Sequence, residues 1–225
     1  MPLKITYLGH SGLLLDSGEH AVAIDPYLTD NPLATMKPAE VKCDAIVLTH
    51  GHEDHVGDTV AIAKANKATV YAVFELAMHL AEQGCAVEPT NTGGQVTTDF
   101  GFVAFTQAFH SSSYQGRYMG MPCGVVIQIA GVTLYHCGDT ALFSDMKLIG
   151  DLYHPDIAAI PIGDRFTMGP ATAARAAQLI QPKVAIPVHY KTFPMLVQSA
   201  DGFKPRGVPV KVLEVGEVWE YEGLG

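Results

Sequence analysis

Short apolar runs, alternating or continuous, recur along the chain and predict a series of β-strands. The predicted strands span residues 4–8, 12–16, 21–25, 45–49, 69–73, 95–98, 103–108, 124–130, 132–136, 158–162 and 184–188. Apolar residues with helical spacing predict helices over residues 57–65, 75–83 and 171–180, the last with Pro170 in its first turn and Pro182 beyond its end. The strand-rich pattern repeats in both halves, which predicts a mixed α/β protein.

No linker rich in Pro, Gly or Ser and no charge block divides the 225 residues, so we expect a single domain over residues 1–225. A chain of this length can bury about 70% of its unfolded surface, enough for a large core. Hydrophobic residues make up 48% and charged residues 16% of the sequence. This apolar composition allows a homo-oligomer with an apolar contact.

The most informative segment follows the predicted strand 45–49 and reads Thr-His-Gly-His-Glu-Asp-His-Val-Gly-Asp over residues 49–58. Imidazole and carboxylate groups are common ligands of divalent metals. His50 and His52 are two residues apart, so an extended backbone points both rings to one side. Asp54 and His55 are adjacent and need a turn or helix start to reach a second point. Two pairs of candidate ligands that point to different places predict two metal ions. The alternative is a solvated histidine-rich loop that binds no metal.

The segment His-x-His-x-Asp-His after a short strand resembles the metallo-β-lactamase superfamily. Further matching segments occur in order at residues 8–12, 24–26, 109–111, 137–140, 163–169 and 187–190. They are similar to a branch of small metal-dependent hydrolases related to ascorbate-6-phosphate lactonase. The resemblance implies a four-layer α/β/β/α sandwich of two mixed β-sheets flanked by helices.

The resemblance also implies a ligand set. One metal ion would be held by His50, His52 and His110, the other by Asp54, His55 and His189, and Asp139 would bridge them. Two ions about 3.5–4 Å apart form a hydrolytic arrangement in which a bridging water becomes hydroxide at neutral pH. Zinc, manganese and iron all suit these nitrogen and oxygen ligands, and zinc is the first expectation.

Other residues have expected roles near the metals. Asp54, His10 and Asp25 are the candidate catalytic residues: the resemblance implies that His10 lines the pocket and that Asp25 orients a ligand histidine. Arg165 is a candidate substrate-binding residue because a guanidinium binds phosphate or carboxylate through two hydrogen bonds. Tyr190 and Lys191 are candidates because they come just after His189. Loop 111–122 follows His110 and is expected to overhang the site.

The remaining histidines and cysteines are expected to be structural. His20 and His79 are predicted at the surface, His136 in the core or behind the ligands, and His154 in a loop. The four cysteines form no CxxC pair, and Cys137 is expected to be a small buried residue. We expect a cytoplasmic protein, because the thiols are expected to be reduced and the start of the sequence does not resemble a signal peptide. We expect no membrane partner, because no apolar run is long enough to cross a bilayer.

The net charge of −9 makes nucleic acid an unlikely partner, because nucleic-acid binding needs a basic surface. We therefore expect a hydrolase acting through a metal-bridging hydroxide on a small anionic ester, lactone or phosphodiester. The alternatives are a nuclease resembling the tRNA 3′-processing enzyme, an iron redox enzyme and a non-catalytic metal-binding module on the same fold.

Overall fold

The computed structural model describes residues 2–223 and contains two large mixed β-sheets. The first sheet has the strand order β15-β1-β2-β3-β4-β5-β6. Its strands are β1 (Leu3–Gly9), β2 (Gly12–Asp16), β3 (Ala21–Ile24), β4 (Ala45–Val47), β5 (Thr69–Val73), β6 (Ala86–Thr90) and β15 (Val218–Tyr221). Pairing is antiparallel from β15 to β3 and parallel from β3 to β6.

The second sheet has the strand order β14-β13-β12-β11-β8-β7. Its strands are β7 (Gln95–Thr98), β8 (Gly101–Gln107), β11 (Cys123–Ile129), β12 (Val132–His136), β13 (Ile157–Pro161) and β14 (Val184–Val188). It is parallel from β12 to β14 and antiparallel from β12 to β7. A separate hairpin pairs β9 (Ser113–Tyr114) with β10 (Arg117–Tyr118).

Helices cover the outer faces of both sheets. The helices are α1 (Glu53–Val56), α2 (Thr59–Asn66), α3 (Phe74–Glu82), α4 (Met146–Tyr153) and α5 (Pro170–Ile180), with a 3-10 helix at Pro38–Glu40. Helices α2 and α3 pack on the first sheet, and α5, which contacts α4, packs on the second. The predicted four-layer arrangement of two mixed sheets flanked by helices is confirmed.

The period-two alternation of side chains accounts for the layers. On β8 and β11, Phe105 and Val125 belong to the cluster between the sheets. Their neighbours Ala104 and Val126 point to the other face and join the cluster under α4 and α5. Among residues 2–223, no helix combines the length and the apolar character needed to cross a membrane.

The element boundaries differ from the predictions at several places. The predicted helix 57–65 begins only at Thr59, because Gly57, with a φ of 44°, ends α1 before α2 begins. Strand β4 ends at Val47, and the residues up to His50 leave the sheet. Strands β6 and β15, helix α4, the β9–β10 hairpin and the 3-10 helix were not predicted. The limits of the predicted domain, residues 1, 224 and 225, lie outside the described part of the chain.

Candidate metal centre

Six strands end at one edge of the sandwich, and each is followed by a candidate site residue. In the first sheet β1 and β3 run in the same direction, since both pair antiparallel with β2, and β4 is parallel to β3. In the second sheet β8, β12 and β14 share one direction. The residues that follow these ends are His10, Asp25, His50, His110, Asp139 and His189. Ligands far apart in sequence therefore meet at this edge.

The local geometry of residues 50–55 matches the predicted arrangement. His52 is extended, with φ −116° and ψ 156°, and forms the N-terminal cap of α1. His50 Nε2 lies 2.8 Å from His52 Nδ1, so the two rings meet on one side. Helix α1 is only four residues long, and it turns Asp54 and His55 towards a second point.

All seven predicted ligands are brought together, and His10 joins them. The side chains form three overlapping groups in which the nitrogen and oxygen atoms of each group lie within 4.8 Å of one another. The groups are His50, His52 and His110; His50, His55 and Asp139; and His10, Asp54, His55 and His189. The first and third share no residue, and the middle group overlaps both.

Asp139 lies between these histidines. Its Oδ2 is 3.0 Å from His189 Nε2 and 3.5 Å from His110 Nε2, and its Oδ1 is 3.4 Å from His55 Nε2. Burial opposes ionisation, but the neighbouring His189 and His55 outweigh it and hold the pKa of Asp139 well below its usual range. A carboxylate that stays charged and faces three imidazoles can contact two cations at once.

Two buried polar atoms that make no hydrogen bond indicate that a cation fits here. His55 Nε2 and Asp139 Oδ1 are both buried and lie 3.4 Å from each other, but neither makes a hydrogen bond within residues 2–223. Such atoms are costly to bury unless a ligand or ion satisfies them. Burial disfavours a proton on His55, but Asp139, Asp25 and Asp54 together raise its pKa well above the usual value. These three carboxylates create a field that favours positive charge at Nε2.

Asp25 lies behind His55, as the resemblance implied. It is fully buried, with a φ of 43°. Its Oδ2 accepts a hydrogen bond from His55 Nδ1 at 2.7 Å, and its Oδ1 accepts one from the Thr49 amide at 2.9 Å. A proton held at Nδ1 leaves the Nε2 lone pair of His55 free to bind a metal.

Thr49 is a positioning residue that the sequence analysis missed. Its hydroxyl donates to Asp25 Oδ2 at 2.7 Å and lies 2.9 Å from His50 Nδ1. The hydroxyl can accept the Nδ1–H of His50 while it donates to Asp25, which leaves His50 Nε2 for a metal. The sequence signal that could have identified Thr49 is its hydroxyl group, placed between an apolar strand and the first candidate ligand.

His10 holds Asp54 from the interior. Its Nε2 is 2.9 Å from Asp54 Oδ2, and its Nδ1 is 2.9 Å from the hydroxyl of Thr192. The ring is fully buried among the candidate ligands, and its expected place in the pocket lining stays a prediction. Burial first, and the neighbouring His189 second, lower the pKa of His10 to about 4. The partner Thr192 was not predicted from the sequence.

The predicted substrate contacts differ in their surroundings. Arg165 is exposed, and its guanidinium lies 5.9 Å from the centre of the Phe166 ring. Lys191 is half-buried and pairs with Glu214 at 3.6 Å. Tyr190 is only 2% exposed and packs in the cluster beneath α5. A substrate contact by Tyr190 stays a prediction, and in this structure its ring packs in the core.

Loop 111–122 lies across residues 50–55. Ser112 Oγ accepts the Gly51 amide at 3.0 Å, and Ser111 Oγ is 3.3 Å from His52 Nε2. A side chain at Gly51 would collide with Met119, since a Cβ there would lie 2.4 Å from the Met119 Cβ. Gly51 therefore permits the close approach of the loop to the ligand segment.

The same loop explains why one prediction was wrong. His79 was expected at the surface but is 7% exposed. Its ring meets Tyr114 edge-on, and its Nδ1 lies 3.2 Å from the Arg117 guanidinium. The β9–β10 hairpin thus covers His79 through contacts that local sequence does not reveal. His136 and Cys137 are fully buried as expected, and His20 is half-exposed.

Comparisons with known proteins agree with this architecture. A family profile described as a β-lactamase superfamily domain matches residues 4–189. The UPF0173 metal-dependent hydrolase of Bacillus licheniformis is 49% identical over 229 residues, covering 98% of this chain and 100% of that protein. The UPF0173 metal-dependent hydrolase YtkL of Bacillus subtilis is also 49% identical, covering 97% of this chain and 100% of that protein.

Among solved structures, Igni18, a metallo hydrolase from Ignicoccus hospitalis, superposes with a TM-score of 0.90 at 35% identity, covering 99% of both chains. The diiron β-hydroxylase CmlA of Streptomyces venezuelae shares only the fold: its TM-score is 0.73 at 12% identity, over 97% of this chain and 54% of that one. The chain therefore belongs to the metallo-β-lactamase superfamily, among the UPF0173 metal-dependent hydrolases.

Proposed function

We propose that the protein is a binuclear metallohydrolase that cleaves a small anionic ester, lactone or phosphodiester. The observation that carries the proposal is the position of Asp139, within 3.5 Å of His55, His110 and His189. One of these histidines belongs to the group with His50 and His52, and the other two belong to the group with Asp54. A carboxylate that lies between two groups of candidate ligands suits two adjacent metal ions.

The proposed ligands follow from these groups. His50, His52 and His110 would hold one ion, Asp54, His55 and His189 the other, and Asp139 both. Two divalent ions, zinc first and manganese or iron as alternatives, would supply Lewis acidity and lower the pKa of a bound water towards about 7. The Nε2 of His55 and the Oδ1 of Asp139, which make no hydrogen bond within residues 2–223, support occupation by cations.

The chain's own groups would prepare the site for this chemistry. Burial works against the charge on Asp54, but His55 and the hydrogen bond from His10 hold its pKa well below the usual range. Asp54 would therefore remain a charged ligand oriented by His10, and Asp25 would keep the proton of His55 at Nδ1. Neither His10 nor Asp25 needs to touch substrate, so we propose that both are positioning residues.

The substrate class rests on charge. Arg165 and Lys191 are the predicted cations that keep some exposure, and a guanidinium can bind a carboxylate or phosphate through two hydrogen bonds. The net charge of −9 favours a small substrate over RNA. A relation to ascorbate-6-phosphate lactonase stays a prediction, as does a cytoplasmic location, which the four free cysteines support.

A hydrolysis screen tests the proposed function. Metal-free protein is reconstituted with zinc, manganese or iron and assayed on p-nitrophenyl esters, phosphorylated lactones, bis(p-nitrophenyl) phosphate and a precursor tRNA. We expect turnover of at least one small substrate, lost in Asp139→Ala and kept in the exposed control Asp201→Ala. Cleavage of the tRNA alone would favour the nuclease, and no metal-dependent turnover of any substrate would reject the hydrolase proposal.

A further inference from the structure

Four loops at the edge of the metal centre each expose one large apolar side chain. Phe109 is 59% exposed, Leu142 37%, Phe166 57% and Met195 53%. Phe109 directly precedes His110, Leu142 follows Asp139 by three residues, and Met195 follows His189 by six. We call these four residues the apolar border.

Backbone hydrogen bonds join the loops into one surface. The Ala141 amide donates to the Phe109 carbonyl at 3.2 Å, which ties the loop of Leu142 to that of Phe109. The ring of Phe109 also meets Phe143 edge-on at 5.2 Å between ring centres. The first two border residues therefore lie on adjoining segments.

The other two border residues are connected in the same way. The Met168 amide donates to the Thr140 carbonyl at 3.2 Å, so the loop of Phe166 lies against the loop that follows Asp139. The Val197 amide donates to the Gly163 carbonyl at 3.1 Å, which attaches the loop of Met195. A Cβ added to Gly163 would lie 3.0 Å from His189 Nδ1, so Gly163 lies directly beside a proposed ligand. This part of the surface therefore adjoins the metal centre.

The border is not explained by folding. Its residues belong to neither set of buried core residues, and polar side chains would serve an exposed loop equally well. Exposed apolar residues on loops beside a polar centre are typical of a ligand-binding site. A strongly anionic membrane surface is a poor occupant, since the protein carries a net charge of −9.

We propose that the substrate is amphiphilic: a hydrolysable anionic group joined to an alkyl or aryl group that packs on the apolar border. The inference rests on the proposed hydrolase function and narrows its substrate class. The anionic group would face the metal ligands, and the apolar group would cover Phe166 and Met195. Specificity would then depend on the apolar group as well as on the scissile bond.

Binding of non-hydrolysable alkylphosphonates tests this without requiring turnover. Dissociation constants of methyl-, butyl- and hexylphosphonate are measured by calorimetry on the zinc-loaded full-length protein. About a twofold gain per methylene, for partial burial, predicts that hexylphosphonate binds roughly 30-fold more tightly than methylphosphonate. The double variant F166S/M195S should reduce this ratio to below about fivefold. The control Leu152→Ser, which changes a 70% exposed side chain on α4, should keep it.

Each outcome decides the proposal. A wild-type ratio near one, or an equal loss in Leu152→Ser, would overturn it. An unchanged ratio of the methylphosphonate and hexylphosphonate dissociation constants in F166S/M195S would also overturn it. If that variant instead loses binding to phosphatidylcholine vesicles, the apolar border binds a bilayer. If it loses dimers on size exclusion, the apolar border binds a second copy of the chain. If phosphonates with longer alkyl groups bind more tightly but the protein hydrolyses no substrate, the binding role of the apolar border is supported and the hydrolase function is rejected. Thermal unfolding of each variant checks that it is folded.

Discussion

Replacement of Asp25 by asparagine should weaken metal binding although Asp25 is not a proposed ligand. The carboxylate accepts three hydrogen bonds, from the Thr49 amide, the Thr49 hydroxyl and His55 Nδ1. Asparagine keeps the volume but replaces one acceptor oxygen with an NH₂ donor. If its oxygen faces the Thr49 amide, its NH₂ group faces His55 Nδ1, which must then give up its proton.

The consequence appears at the other nitrogen of the ring. Neutral His55 would carry its proton on Nε2, the atom that lies 3.4 Å from Asp139 Oδ1 and would bind the metal. Loss of such an orienting partner lowers metal affinity by about 10–100-fold, equivalent to about 1.4–2.7 kcal/mol of binding free energy. We expect a loss in this range for Asp25→Asn.

Competition between the protein and a chelator of known zinc affinity measures this loss. Asp201→Asn is the matched control, because it makes the same chemical change at an exposed position. Circular dichroism of the metal-free proteins establishes that each variant is folded. Zinc affinity of Asp25→Asn within twofold of wild type, or the same loss in Asp201→Asn, would refute the assigned role of Asp25.

Three further predictions concern the same centre. Asp139→Ala should lose both ions by elemental analysis, and retention of two ions with wild-type turnover would contradict the shared-ligand assignment. Chelation should lower the midpoint of thermal unfolding, because metal at 1,000 times its Kd adds about 4 kcal/mol to stability; equal midpoints with and without chelator would count against a metal site in the folded chain. Burial and His189 lower the pKa of His10 to about 4, so between about pH 6.5 and pH 4 the unfolded chain binds a proton at His10 and the folded chain does not. The metal-free protein should then lose up to about 1.4 kcal/mol of unfolding free energy per pH unit between 6.5 and 4 through this group. In denaturant titrations His10→Gln should make this slope shallower and His20→Gln should not; an unchanged slope in His10→Gln would disprove the assignment.

The spacing within residues 49–58 predicts part of the candidate ligand set, and the resemblance to the superfamily implies the rest. His50 and His52 reveal their shared side through spacing alone. His110, Asp139 and His189 each follow an apolar strand, and the parallel directions of those strands bring their ends to one edge. Local pattern and topology therefore agree at this centre.

The missed elements have weak local signals or depend on distant partners. Strand β15 is at the edge of its sheet and pairs with β1 from the other end of the chain. Strand β6 contains Pro89 and is mostly exposed, a pattern that favours a loop. In α4, Gly150 argues against a helix, yet a Cβ there would lie 2.2 Å from the Ile180 carbonyl oxygen. That glycine allows α4 and α5 to approach closely.

The positioning groups were missed for a similar reason. Thr192 follows His189 by three residues, but only folding brings its hydroxyl to His10 Nδ1. His79 is four residues from the exposed Glu75 and three from the exposed Glu82 on α3, and the β9–β10 hairpin that buries it is placed by tertiary contacts. Sequence patterns identify candidate ligands more readily than the residues that orient them.

Metal stoichiometry tests the central claim most directly. The protein is purified gently, saturated with zinc, freed of unbound metal by gel filtration and measured by elemental analysis against protein concentration from amino-acid analysis. The two groups of nitrogen and oxygen donors that share no residue, one containing His50 and the other Asp54, predict two zinc ions per chain. A value of one or less under saturating zinc would contradict the binuclear centre.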